Sequence, residues 1–82
     1  NRIYVANSGS NTLSVISTTN STVVSTVFVG IGPQGVAVNP ATNQAYVTNN
    51  GSNTLSIINT TNNTVTNTVP VGIGPKEVSC TP

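Results

Sequence analysis

The stretch IYVANSGSNTLSVISTTNSTV at residues 3–23 recurs as AYVTNNGSNTLSIINTTNNTV at residues 45–65. Tyr4 and Tyr46 are 42 positions apart, and the offset holds without a gap to the end of the chain, with 25 of 40 aligned pairs identical. A period of about 40 to 45 residues is typical of a four-stranded propeller blade. We therefore predict two repeats, residues 1–42 and 43–82.

Each repeat contains four short segments rich in β-branched residues. In the first repeat these segments span residues 2–6, 12–16, 22–29 and 34–38, and Asn, Ser, Gly and Pro fill the positions between them. Such separators favour tight turns, because they tolerate positive φ or restrict φ to about −65°. The pattern predicts an all-β fold in which each repeat supplies four antiparallel strands. A β-solenoid fibre is the rival fold, and it predicts shorter coils.

The third segment of each repeat has features of an edge strand. Val23, Val27 and Val29 recur at the same positions of the second repeat, and their spacing predicts that they share one face of the strand. Pro70 lacks the N–H that a central strand needs, so this strand is predicted at the outer edge of its sheet. The short apolar segment at residues 34–38 is predicted to lie nearest a propeller axis.

The segments YVTN at residues 46–49, GSNTLSIINTTNNTV at 51–65 and VGIGP at 71–75 resemble the YVTN β-propeller repeat, and YVAN at 4–7 begins an equally similar first copy. The resemblance covers the whole chain. It implies four-stranded blades whose strands are lettered from A at the axis to D at the rim, with the YVTN segment as strand B. The segments of this chain then follow the permuted order B-C-D-A-B-C-D-A. Family members are similar to surface-layer and other secreted proteins of archaea and bacteria, which implies an extracellular or cell-surface location and no particular reaction.

In that order only residues 35–71 form a blade from one stretch of chain. The first blade lacks its inner strand, and such an open edge is a template for pairing with another chain. We predict an inter-chain strand contact made by Lys76, Glu77, Val78, Ser79 and Cys80. Head-to-tail contacts of this kind close into a ring with an even number of blades or continue as a filament. The alternative is a fragment of a longer propeller, with the missing blades in cis.

Few residues of this chain could support catalysis. There is no histidine, Glu77 is the one carboxylate side chain and Cys80 the one thiol, so neither an acid–base pair nor a metal shell is available. GIGP at residues 30–33 lacks the Lys-Ser/Thr ending of a phosphate loop, which favours a turn. Cys80 stands where the first repeat has Val38, and we interpret it as a small apolar side chain. We predict no enzymatic activity and no catalytic, cofactor-binding or metal residue.

Several asparagines lie in sequences that accept N-linked glycans. Predicted turns place possible glycosylation sites at Asn20, Asn50, Asn59 and Asn62. Tyr4 and Tyr46 occupy one fixed place in the repeat, and packing between blades is favoured over ligand stacking.

The composition limits the classes of partner. Charged residues make up 4% of the chain and the net charge is +1, which argues against nucleic acid, and no apolar run is long enough to span a membrane. The chain starts at Asn1, so we expect any signal peptide or upstream sequence to be missing. We predict an extracellular structural scaffold of a surface layer, adhesin or filament, whose partners are other blades and possible glycans or surface proteins. The alternatives are a lectin-like or ligand-binding module and a non-catalytic fragment of a propeller enzyme domain.

Overall fold

A computed structural model describes residues 2–78, and within that range the chain is built from seven β-strands. The strands are β1 (Arg2–Asn7), β2 (Thr12–Ser17), β3 (Thr22–Phe28), β4 (Pro33–Asn39), β5 (Gln44–Asn49), β6 (Thr54–Asn59) and β7 (Thr64–Pro70). No helix capable of crossing a membrane is found among these residues. The prediction of an all-β fold is confirmed.

The strands form two antiparallel sheets. Sheet 1 has three strands in the order β1-β2-β3, and sheet 2 has four in the order β4-β5-β6-β7. The predicted segments of the first repeat differ from the observed strands by no more than one residue at either end. β7 lies at the edge of sheet 2, and Pro70 ends it opposite Thr54, where a missing N–H costs no inner ladder bond.

The segment after β7 differs from its counterpart in the first repeat. Residues 71–78 contain no strand, so Lys76, Glu77 and Val78 are not paired as a strand within this chain. Ser79 and Cys80 lie outside the described residues. The inter-chain strand contact therefore stays a prediction.

Each hairpin loop ends in a residue with positive φ. The φ angles are 58° at Asn11, 55° at Ser21, 56° at Asn43, 57° at Asn53 and 56° at Asn63. Asparagine tolerates this left-handed conformation better than most residues, because its short side chain bonds locally. Asparagine ends four of these five hairpin loops, and its tolerance of positive φ is the conformational cause.

The hydrophobic core lies between the two sheets. Sheet 1 contributes Leu13, Val15 and Val27, and sheet 2 contributes Ala45, Val47 and Ile58. Tyr4, Val29 and Val36 pack against this cluster. The sheets are therefore held face to face by apolar burial.

The prediction that the recurring valines of β3 share one face is wrong for Val23. Val27 pairs with Leu13 and is 6% exposed, whereas Val23 pairs with Ile16 and is 59% exposed. The register between β2 and β3 shifts between Val15 and Ile16, which marks a β-bulge. The extra residue in β3 turns the side chains beyond it to the opposite face.

Candidate functional site

An equivalent network of side-chain hydrogen bonds forms in each repeat, in the loop between β1 and β2 and in the loop between β5 and β6. We call residues 7–10 turn 1 and residues 49–52 turn 2. In turn 2 the fully buried Asn49 donates from Nδ2 to Thr54 Oγ1 (3.1 Å) and Ser56 Oγ (2.9 Å). Asn7 makes the same two bonds in turn 1, to Thr12 Oγ1 (3.2 Å) and Ser14 Oγ (2.8 Å). The network fixes the asparagine side chain through its Nδ2 in both turns.

Turn 2 binds the segment that links the two sheets. We call residues 30–32 hinge 1 and the equivalent residues 72–74 hinge 2. Hinge 1 and turn 2 share four hydrogen bonds: Gly30 N–H to Asn49 Oδ1 (3.2 Å), Ile31 N–H to Ser52 Oγ (3.2 Å), Asn50 N–H to Gly32 O (2.9 Å) and Gly51 N–H to Ile31 O (2.8 Å). Turn 2 thus binds four backbone groups of hinge 1 without regular strand pairing.

The contact between hinge 1 and turn 2 depends on glycine on both sides. A Cβ atom at Gly30 would lie 2.6 Å from Ser52 Oγ and 2.7 Å from Asn49 Cγ. A Cβ atom at Gly51 would lie 2.7 Å from Ile31 Cγ2. All three distances are shorter than such contacts allow, so a side chain at Gly30 or Gly51 would displace the side chains that it meets in the turn or the hinge.

Hinge 2 and turn 1 have the same sequence features, but neither has such a partner within the part of the chain that the structure describes. A Cβ atom at Gly72 or Gly9 would meet nothing within 4 Å among the described residues. Ile73 is 94% exposed, whereas its counterpart Ile31 is 59% exposed. Gly74 N–H still donates to Asn53 Oδ1 (2.9 Å), as Gly32 N–H does to Asn11 Oδ1 (3.0 Å). The last residue of hinge 2 is therefore bound to the loop before β6.

The residues after hinge 2 lie beside β4. Thr48 Oγ1 donates to the carbonyl of Lys76 (2.7 Å) and accepts from Gly35 N–H (2.9 Å), and Asn50 Nδ2 donates to the carbonyl of Pro75 (3.0 Å). The side chains of Lys76 and Glu77 are exposed. Two of the predicted contact residues are therefore accessible, although they are not in a strand.

A shallow groove of about 340 Å³ opens at the far end of β1. It is lined by Arg2, Tyr4, Val38, Pro40, Asn43 and Thr60. Arg2 closes one side by donating from Nη1 to the Thr60 carbonyl (3.2 Å). The groove offers hydrogen-bonding groups and a tyrosine ring, but its lining has no carboxylate or thiol. Residues 2–78 also hold no cluster of three His, Cys, Asp or Glu side chains that could bind a metal ion.

The predicted glycosylation sites differ in accessibility. Asn20 and Asn62 are exposed at matching turns, and each accepts a 2.7 Å bond from the threonine two positions later. Asn59 is half-buried, and Asn50 is half-buried with its Nδ2 bound to Pro75 O. Modification of any of them stays a prediction, and Asn20 and Asn62 present the more accessible amides.

The two tyrosines have different surroundings. Tyr4 packs against the core between the sheets, whereas the Tyr46 hydroxyl donates to Gln44 Oε1 (2.8 Å).

The hinge-to-turn contact was missed by sequence reasoning. Its signal was the recurrence of N-x-G-S and G-I-G at constant positions of the repeat.

No family model matches this chain. The PE-PGRS family protein PE_PGRS18 of Mycobacterium tuberculosis is 55% identical over 40 residues, which is 49% of this chain and 9% of that protein. Among solved structures, the Kuenenia stuttgartiensis hydrazine synthase superposes with a TM-score of 0.95 at 21% identity, over 99% of this chain and 23% of that chain. This chain thus spans a small part of the length of both proteins and shares its fold with a segment of the second.

The structural similarity contradicts the prediction that the chain has no enzymatic role. That prediction used the shortage of catalytic side chains, yet the same fold forms part of an enzyme in hydrazine synthase. In a repeat architecture the catalytic groups and the scaffold are commonly supplied by different segments. A shortage of such groups in 82 residues is therefore no argument against an enzyme.

Proposed function

We propose that the chain forms two neighbouring blades of a β-propeller that serves as a scaffold domain of a larger enzyme. The superposition of nearly the whole chain on part of hydrazine synthase is the observation that supports this proposal most directly. In this role the stacked sheets hold the loops at the ends of the strands in fixed positions. Resemblance to the YVTN repeat supports the propeller architecture.

The outer face of sheet 1 supports the presence of further blades. Ile3 and Val5 are 50% and 39% exposed there, whereas their counterparts Ala45 and Val47 are fully buried between the sheets. Apolar side chains at these repeat positions are thus covered wherever a second sheet is present. A closed propeller covers them at every blade.

The native protein tests this proposal. An antibody raised against the chain would isolate it, and mass spectrometry and electron cryomicroscopy would give its length and architecture. We expect a longer polypeptide in which these residues form adjacent blades of a closed ring, with a catalytic site in contact with that ring. A native protein without further blades would contradict the propeller, and one without a catalytic site would contradict the enzyme.

A second candidate is a scaffold at the cell surface. Its support is the pair of exposed asparagines, Asn20 and Asn62, in matching uncharged turns that fit glycan acceptors. Cell fractionation followed by glycopeptide mass spectrometry distinguishes the two candidates. Glycans on an extracellular protein would favour the surface scaffold, and an unmodified protein inside the cell would exclude it.

A further inference from the structure

We infer that hinge 2 of one copy docks onto turn 1 of a second copy of this chain, and that glycine at positions 9 and 72 permits the contact. The inference rests on the internal contact between hinge 1 and turn 2 and not on the proposed function. It concerns the 82-residue chain by itself; in a longer polypeptide a neighbouring repeat would occupy the same site. Residues 2–78 contain one hinge bound to one turn, which are hinge 1 and turn 2, and also a second hinge and a second turn that do not bind each other.

Hinge 2 and turn 1 have the same polar groups that bind hinge 1 to turn 2, although Ser8 stands where turn 2 has Asn50. Asn7 and Ser10 stand where Asn49 and Ser52 accept from hinge 1, and Asn7 is held by the same two side-chain bonds as Asn49. Hinge 2 has the same Gly-Ile-Gly sequence as hinge 1. Docking would therefore supply hinge 2 with the acceptors and donors that turn 2 supplies to hinge 1.

The apolar faces at the two ends are also complementary. Leu13 and Val15 of sheet 1 are buried against sheet 2, and their counterparts Leu55 and Ile57 of sheet 2 are only partly buried. On the other end, Ile3 and Val5 of sheet 1 are exposed. A second copy placed head to tail brings these two faces together as the core does within one copy.

The docked arrangement also accounts for the segment that follows hinge 2. Within one copy, hinge 1 leads into β4, and Pro33 pairs with Asn49 at the start of the β4–β5 ladder. The same register would place Pro75 opposite Asn7 of the second copy, where β1 has an unpaired edge. Hinge docking thus directs residues 75–78 onto β1, which is paired on only one side among residues 2–78.

Two glycine substitutions separate docking from folding. Gly9→Ala and Gly72→Ala each add a methyl group that meets nothing within 4 Å among residues 2–78, and neither glycine has positive φ. In the docked state each methyl would clash as a Cβ atom at Gly51 or Gly30 would. In sedimentation equilibrium, the apparent molecular mass of the unsubstituted chain should rise with concentration, whereas each variant should stay monomeric. At low concentration, the melting temperature of each variant should equal that of the unsubstituted chain.

Mixing the two variants is the decisive measurement. Gly9→Ala retains an intact hinge 2 and Gly72→Ala an intact turn 1, so their equimolar mixture should form a dimer of one copy of each. Ser8→Ala should assemble like the unsubstituted chain, since the side chain at the equivalent Asn50 does not contact hinge 1 but binds Pro75. Gly30→Ala and Gly51→Ala should lower the melting temperature of the single chain.

Two results would overturn the inference. An unsubstituted chain that is monomeric at all concentrations would exclude a second copy as the occupant and leave a repeat of a longer chain. Assembly that persists in both glycine variants, or a mixture of the two that stays monomeric, would show that hinge 2 and turn 1 do not form the contact.

Discussion

At the scale of single residues, the side chain of Asn49 makes three hydrogen bonds that connect two strands and hinge 1. Its Nδ2 holds Thr54 and Ser56, its Oδ1 accepts from the Gly30 N–H, and its side chain is fully buried. Among the described residues, Asn7 makes only the two equivalent Nδ2 bonds, to Thr12 and Ser14, and none to a hinge. Identical residues at identical repeat positions therefore differ in their contribution to stability.

Replacing each asparagine by alanine should reveal this difference. We expect Asn49→Ala to lower the free energy of unfolding by about 2–3 kcal/mol, because it strands the Gly30 N–H as well as two hydroxyls. Asn7→Ala should cost about 1 kcal/mol, since no described hinge residue depends on it. Urea titrations on monomeric protein measure both values, and equal losses would contradict the assignment of the extra bond to Asn49.

At the scale of elements, the β-bulge in β3 decides which valines enter the core. It lies between the pairs Val15–Ser25 and Ile16–Val23, so Val24 is left without a partner in β2. Sheet 2 has a similar shift between Ile57 and Ile58. The bulge thus recurs at the same position of both repeats, where it increases the local twist of the sheet.

Threonine substitutions test the bulge. Val27→Thr places a hydroxyl in the core and should destabilise the chain by about 2 kcal/mol, because a buried hydroxyl without a partner is costly. Val23→Thr should change the free energy of unfolding by less than about 0.5 kcal/mol, as expected for an exposed strand position. Thermal unfolding followed by circular dichroism gives both changes. Similar losses at the two positions would mean that both valines face the core.

At the scale of the whole molecule, the two sheets share one core and depend on each other. Leu13 is fully buried between them, whereas its repeat counterpart Leu55 lies on the outer face of sheet 2 and is only partly buried. The molecule is thus stabilised asymmetrically, although its repeats are nearly the same. One apolar face at each end remains open to another sheet.

The two leucines provide a matched pair for this asymmetry. Leu13→Ala should cost about 3 kcal/mol, since it leaves a cavity in the core, and Leu55→Ala about half as much, because it removes a side chain that is already partly in water. Urea unfolding of dilute protein is the appropriate measurement. A larger loss at Leu55 would show that the core does not lie between the sheets as described.

The sequence by itself determined the strands and turns of this protein. Alternating β-branched residues, Asn and Gly at the turns and Pro70 at an edge are local signals, since each acts through the φ/ψ preferences or hydrogen bonds of neighbouring residues. Where a residue occurs at the same position of both repeats, only the tertiary structure decided which of the two is buried. Burial depends on whether a second sheet lies opposite, and neighbouring residues do not encode that. The side-chain direction of Val23 and the contact between hinge 1 and turn 2 are likewise products of register and packing. Repetition made the elements predictable, while the position of each repeat in the stack gave them different roles.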